Sequence, residues 1–187
     1  MRILIIGATG SGKSTLAAEL AERLTLPHIE MDALFWGPNW TPVDRTTFIA
    51  RVEEALAEEN WIMDGNYNSV LGTLTWGYAD VIVWLDFPLR VNLRRLLRRS
   101  INRAATGKDL WQSGNRESWR RLFLSRDSIF VWALKTHKRN RLRYAVRFAD
   151  PAYAHLTRLR ITSPNNTAQQ IITALCASPP ARPTQSK

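Results

Sequence analysis

The spacing of apolar side chains divides the chain into short buried runs and longer amphipathic stretches. Ile3-Leu4-Ile5-Ile6 has the length and continuity of a strand buried on both faces. Leu16, Ala17, Leu20, Ala21 and Leu24 then recur at three- and four-residue intervals, which predicts a helix starting at about Lys13. Leu26-Pro27 ends that period, and His28 to Asp32 reads as a second short strand with Asp32 at its carboxyl end. Thr41-Pro42 predicts an N-cap and a first helical proline, with Asp44 in the first turn. Phe48, Ile49, Val52, Ala55 and Leu56 face inward on that helix; Glu53, Glu54, Glu58 and Glu59 face solvent to about Glu59.

Two further apolar runs, Trp61 to Asp64 and Asp80 to Asp86, read as strands. Asp86-Phe87-Pro88 opens a helix, with Asp86 as its N-cap. That helix interleaves Val91, Leu93, Leu96, Leu97 and Ile101 with six arginines between Arg90 and Arg103. Residues 104–115 read as a mobile loop, 116–147 as one or two arginine-rich helices, and Arg158 to Thr162 as a last strand. Ser163 to Thr167 turns into a final helix through Ile171, Ile172 and Leu175, and 177–187 reads as a disordered tail. The order predicts an α/β three-layer sandwich on a parallel sheet of about five strands, one domain over 1–176 with a helical insertion at about 101–147.

Composition changes that picture in two places. Cys176 is the only cysteine, so the chain forms no internal disulfide, and no run approaches the roughly 20 apolar residues of a membrane span. A cytoplasmic protein, expected as a monomer, follows from these. Charge is more informative: residues 1–87 hold 5 Lys/Arg against 12 Asp/Glu, and residues 88–187 hold 21 against 4. A basic half fits nucleic acid, and it fits equally a lid that closes over a polyphosphate. His137, among Lys135, Lys138 and Arg139, reads as a solvated surface histidine.

Candidate chemistry is concentrated behind the first strand. Gly7-Ala8-Thr9-Gly10-Ser11-Gly12-Lys13-Ser14 fits G-x-x-x-x-G-K-[ST], and with Thr15 forms the candidate nucleotide-binding stretch. Glycines let successive backbone N–H groups point into one concavity, and the following helix adds its positive end. In such a loop the lysine, here Lys13, meets the β- and γ-phosphates of ATP, and the hydroxyl of Ser14 is a Mg²⁺ ligand. Asp64, ending the third strand in Asp64-Gly65-Asn66-Tyr67, is the candidate acidic partner of Mg²⁺. Asp32 falls where open α/β sheets place ligands. Phe35, Trp36 and Trp40, around Gly37-Pro38, either line a pocket for a flat or apolar acceptor or pack against the core, the commoner outcome for an aromatic.

With these residues, the chain resembles the small P-loop kinases of the adenylate kinase type, and among them the adenylate-kinase-like proteins often labelled DNA topology modulation proteins. The resemblance runs to about Leu175, through the phosphate loop, Met31-Asp32, Trp61 to Tyr67 and Leu85-Asp86-Phe87-Pro88. It implies that Arg95 and Arg99 meet ATP and that Arg126 and Arg139 are lid arginines neutralising the transferring phosphoryl group. It implies that Asp32 orients an acceptor hydroxyl. Phe35 and Asn68 stand where adenylate kinases carry two arginines for the acceptor phosphate, which makes AMP a poor acceptor. The expectation is an ATP- and Mg²⁺-dependent phosphotransferase acting on a small molecule; the rival is a nucleic-acid-associated ATP-binding protein using the basic half.

Overall fold

The computed structural model describes residues 1–107, 109–111, 113–115 and 129–177. Five parallel strands form one sheet in the order β2-β3-β1-β4-β5: β1 Arg2–Gly7, β2 His28–Glu30, β3 Trp61–Asp64, β4 Val81–Leu85 and β5 Thr157–Ile161. The register sets Gly7 of β1 opposite Leu85 of β4 and Ile5 opposite Asp64 of β3. Every residue of β3 and β4 is buried, as a parallel sheet covered on both sides requires.

Side-chain alternation sorts the core into two layers. Ile3, Ile5, Ile62, Val81 and Val83 meet Leu16, Ala17 and Leu20 of α1 (Lys13–Leu24) and Ile171 and Leu175 of the last helix. Leu4, Ile6, Met63, Ile82 and Trp84 face the other way, toward Phe48, Val52, Leu56, Trp76 and Tyr144. That second layer comprises α2 (Met31–Phe35), α3 (Arg45–Leu56), the short α4 (Asn68–Leu71) and α5 (Leu74–Tyr78), and α7 (Ile129–Ala149). Helix α6 (Leu89–Thr106) leaves the carboxyl edge of β4 and packs against α7. Helix α8 (Thr167–Ala177) closes the first layer and takes in Ala177; 178–187 lie outside the described residues.

Four local readings are corrected. The second strand stops at Glu30, and Met31–Phe35 turns immediately into α2, so Asp32 is the second residue of a helix rather than the end of a strand. The cap of α3 is Asp44, whose carboxylate accepts from the Thr47 N–H at 3.0 Å; Thr41 and Pro42 precede the helix, with Pro42 bridged to Trp36. The helix ends at Leu56, one turn short of Glu59. Helix α6 continues to Thr106 across part of the expected loop, and the Leu110–Asn115 bridge follows it.

Asp86 is a further correction. It caps nothing; its side chain is 1% exposed and binds Arg141 of α7 at 2.6 Å and Arg160 of β5 at 2.5 Å. Arg160 also lies over the Trp84 ring, 4.6 Å from its centroid. Burial pushes the Asp86 carboxyl up, but the hydrogen bonds and charges of the two arginines outweigh it and hold the group below the usual carboxylate range. Its contribution to stability is therefore full above the ordinary value of about 3.9 and is lost as pH falls through the lowered folded value. Asp86→Asn should cost about 1–3 kcal/mol in urea unfolding at pH 7, since the half-exposed arginines regain water. The gap between variant and wild type should begin to narrow only as pH falls below the ordinary value of about 3.9 and close through the lowered folded value; a gap independent of pH would overturn this account.

Candidate active site

Gly7 ends β1, and the chain turns through Ala8 to Gly12 with Gly10 (φ 81°) and Gly12 (φ 90°) in the left-handed region. Gly10 answers to space as well as conformation: a Cβ there would come within 2.4 Å of the Asn92 carbonyl oxygen on α6. The N-cap of α1 is Gly12, which offers no side-chain cap, so the first-turn N–H groups of that helix face the loop's concavity without a cap of their own. The next residue is Lys13, whose Nζ folds back to donate to the Ala8 carbonyl at 3.2 Å. Burial lowers the Lys13 pKa and the charge of Arg99 lowers it further, while Asp64 and Asp32 pull it back up.

Ser14 and Asp64 are joined directly. The Ser14 hydroxyl donates to Asp64 Oδ2 at 2.7 Å, and His28 Nε2 lies 2.9 Å from Asp64 Oδ1. Asp64 is thus a 4% exposed carboxylate held from both sides, at the edge where β3 runs beside β1. Past it, the Asn66 amide donates to the Gly7 carbonyl and accepts from the Tyr144 hydroxyl, tying the turn after β3 to the loop after β1 and to α7.

Asp32 is exposed and approached from one side only by a named partner: the Tyr67 hydroxyl donates to its Oδ1 at 2.6 Å. Burial, followed by the Asp32 charge, raises the Tyr67 pKa, so the phenol stays protonated. Phe35 packs on Trp36, Phe48 and Tyr67 at centroid distances of 4.9, 5.1 and 4.7 Å. The Asn68 amide is engaged by Arg147 at 2.5 Å and by the Tyr144 hydroxyl at 3.3 Å. Both positions at which adenylate kinases carry arginines are therefore used in internal contacts.

The arginines separate. Arg95 donates to the Ser11 carbonyl at 2.9 Å and, within 3.5 Å, to that of Pro164; it lies 5.2 Å from the Phe87 centroid. Arg99 is close enough to act on Lys13. Arg139 is exposed, Thr15 likewise, and Arg126 lies outside the described residues. The arginine that α7 brings to the carboxyl edge is Arg141, through Asp86. His137 is half-buried rather than solvated; burial, then Arg141, lowers its pKa, so the imidazole is neutral at pH 7. His28, Tyr67, Asn66 and Arg141 carried no signal in the spacing, because each acts across elements whose adjacency only the sheet order supplies.

The donor set is suited to a nucleotide polyphosphate and a hard cation. The concavity is cut by glycines, floored by N–H groups at a helix start, and flanked by Lys13, Arg95 and Arg99. Ser14 and Asp64 present only oxygen, as Mg²⁺ requires. Among the described residues there is no cluster of three or more His, Cys, Asp or Glu placed to hold a metal ion.

No family model matches the chain. It is 30% identical over 137 residues to the uncharacterized protein YqaC of Bacillus subtilis, an alignment covering 68% of this chain and 71% of that protein. It is 35% identical over 116 residues to the cytidylate kinase of Halobacterium salinarum, covering 53% of this chain and 58% of that one. Among solved structures, the deoxyadenosine kinase of M. mycoides superposes with a TM-score of 0.56 at 14% identity, over 95% of this chain and all of that one. The common fold is the α/β P-loop sandwich.

The tight passage at Gly10 carries a prediction. Gly10→Ala adds a methyl group against the α6 backbone at a left-handed residue, and should destabilise the protein by about 2–4 kcal/mol. Denaturant unfolding reads the loss; a variant within about 0.5 kcal/mol of wild type would show that α6 does not press on the loop.

Proposed function

We propose that this chain, a P-loop phosphotransferase related to nucleotide and small-molecule kinases, transfers the γ-phosphoryl group of ATP to a small acceptor held beside Asp32. The observation that carries the reading is the Ser14–Asp64 hydrogen bond at the mouth of a glycine-cut loop, with the half-buried Lys13 under the charges of Asp64, Asp32 and Arg99. The cytidylate kinase among its relatives supports a nucleotide or similar hydroxyl-bearing acceptor. The Asp64-Gly65-Asn66-Tyr67 turn supports the adenylate-kinase-like branch. Residues 1–176 are taken as one kinase domain, with about 101–147 as its lid insertion.

In this reading the loop amides and Lys13 orient the β- and γ-phosphates, and Arg95 and Arg99 offset their charge from α6. Ser14 and Asp64 would hold Mg²⁺, which supplies charge neutralisation on the phosphate oxygens. Asp32, fixed through one oxygen by Tyr67, orients the acceptor and takes the proton from its hydroxyl as oxygen bonds to phosphorus and the bond to ADP breaks. Arg141, two residues on from the expected Arg139, is the α7 charge assigned to the site's rim, with Asp86 as its holder. The exposed arginines of α6 and α7 are accounted for by a lid of this kind without a nucleic-acid ligand.

Two variants test the assignment against a panel of nucleosides, nucleoside monophosphates and polyhydroxy acids with labelled ATP. Lys13→Ala should lower turnover about a hundredfold or more while the unfolding midpoint stays near that of wild type. Asp64→Asn should raise the Mg²⁺ concentration for half-maximal rate by about 10–100-fold. Turnover of Lys13→Ala within a few-fold of wild type would overturn the site.

A further inference from the structure

Phe35 and Asn68 stand where adenylate kinases carry arginines for an acceptor phosphate, and the structure builds something else on that side. Behind α2, Trp36 meets Trp40 at 5.8 Å with the rings 73° apart, and Trp40 meets Trp111 at 5.8 Å and 82°. All three are half-buried, so this is a stepped aromatic wall rather than a sealed core. Its inner end connects to Asp32 through Phe35, which packs on both Trp36 and Tyr67, and the Tyr67 phenol donates to the Asp32 carboxylate. Its outer end comes from a different part of the chain: Trp111 follows α6 and fastens its indole N–H to Glu30 at 3.0 Å.

The wall is held in an otherwise unfavourable backbone conformation. Trp40 (φ 59°) and Trp111 (φ 58°) both lie in the left-handed region, which bulky residues seldom adopt. One side chain pins the first of them. Asn115, 1% exposed, accepts from the Trp40 N–H at 2.7 Å and donates to the Gly37 carbonyl at 2.9 Å, using both ends of its amide on the turn that carries Trp36 and Trp40. Packing alone would not need a buried amide clasped to a strained turn; preorganising a surface for a ligand does.

We propose that Trp36, Trp40 and Trp111 form an acceptor subsite for a planar heteroaromatic ring, a nucleobase, with Asn115 as the residue that positions it. Near-perpendicular neighbours leave a right-angled step in which a flat ring rests on one indole face with its edge against the next. Stacking gives affinity without a charge at the Phe35 and Asn68 positions. The proposal rests on the phosphotransferase reading only in taking Asp32 as the acceptor's reactive end.

Tryptophan fluorescence of the full chain with saturating Mg²⁺ and a non-hydrolysable ATP analogue tests it directly. Cytidine, deoxyadenosine, CMP and AMP are titrated beside gluconate and shikimate. At least one base-bearing compound should quench saturably and the aliphatic acids should not; nucleoside against monophosphate then shows whether a phosphate adds to ring recognition. Trp111→Ala should weaken that binding about tenfold or more and Trp111→Phe should restore most of it, with affinity for the ATP analogue within twofold in both. Asn115→Ala should weaken base binding in the same sense, and circular dichroism confirms that each variant is folded. Saturable binding of an aliphatic acid alone, absence of binding by any base, or full base affinity in Trp111→Ala would overturn the subsite. Base binding without phosphoryl transfer would instead sink the kinase reading and leave the subsite standing.

Discussion

Burying a lysine beside a concavity of backbone amides is the constraint on which the rest of this structure depends. Lys13 is half-buried; burial lowers its pKa and nearby carboxylates raise it again, and the fold supplies them from two neighbouring stretches: Asp64 at the end of β3 and Asp32 in the first turn of α2. Placing β3 directly beside β1 is what makes the Ser14–Asp64 bond possible, and the Asn66 amide on the Gly7 carbonyl keeps the two loops in register. The same edge carries a second compensated charge, Asp86 with Arg141 and Arg160, on the other side of β1. Carboxylates alternate with cations across the carboxyl ends of the strands, and the phosphate loop lies between the two pairs.

Helix α6 turns that edge into a site with two ends. Near its start Asn92 presses on Gly10 and Arg95 reaches Ser11, so the helix forms one wall of the loop. Beyond its end Trp111 and Asn115 reach the Trp36–Trp40 turn and Glu30. One continuous stretch of chain therefore touches both the phosphate side and the acceptor side, and a rearrangement of one cannot leave the other untouched. Its arginine density has a structural reason too: only Asn92, Leu96 and Ser100 of α6 are fully buried, a narrow stripe that leaves most of the helix for charge.

The strands and long helices were legible because burial on both faces and a 3.6-residue period are local properties; β1, β3, β4 and α1 follow the apolar pattern closely. The phosphate loop was legible for the same reason, its eight residues being contiguous. What failed was local sequence with two uses. Asp44 after Thr41-Pro42 offers two possible caps three residues apart, and the one that reaches the Thr47 N–H prevailed. Asp86 before Pro88 reads as a cap until β5 and α7 bring two arginines to it, partners 74 and 55 residues away. The aromatic stretch around Gly37 read as packing or pocket because the residues that decide, Trp111 and Asn115, lie in what the sequence marks as a loop.

Recognition of the acceptor follows from how the space was reassigned. An arginine at position 35 would have to leave the core side of α2, where Phe35 now fills the gap between Phe48 and Tyr67. With Phe35 there, Tyr67 is packed firmly enough to present its hydroxyl to Asp32. An anion entering at that point meets Asp32 before it meets a free guanidinium, whereas a hydroxyl meets an acceptor of its proton. At position 68 the amide is shared by Arg147 and Tyr144, so α7 is clamped where a phosphate grip would have stood. The two replacements act together: polar groups there are used in fixing Asp32 and α7, and the half-buried surface beside them is aromatic.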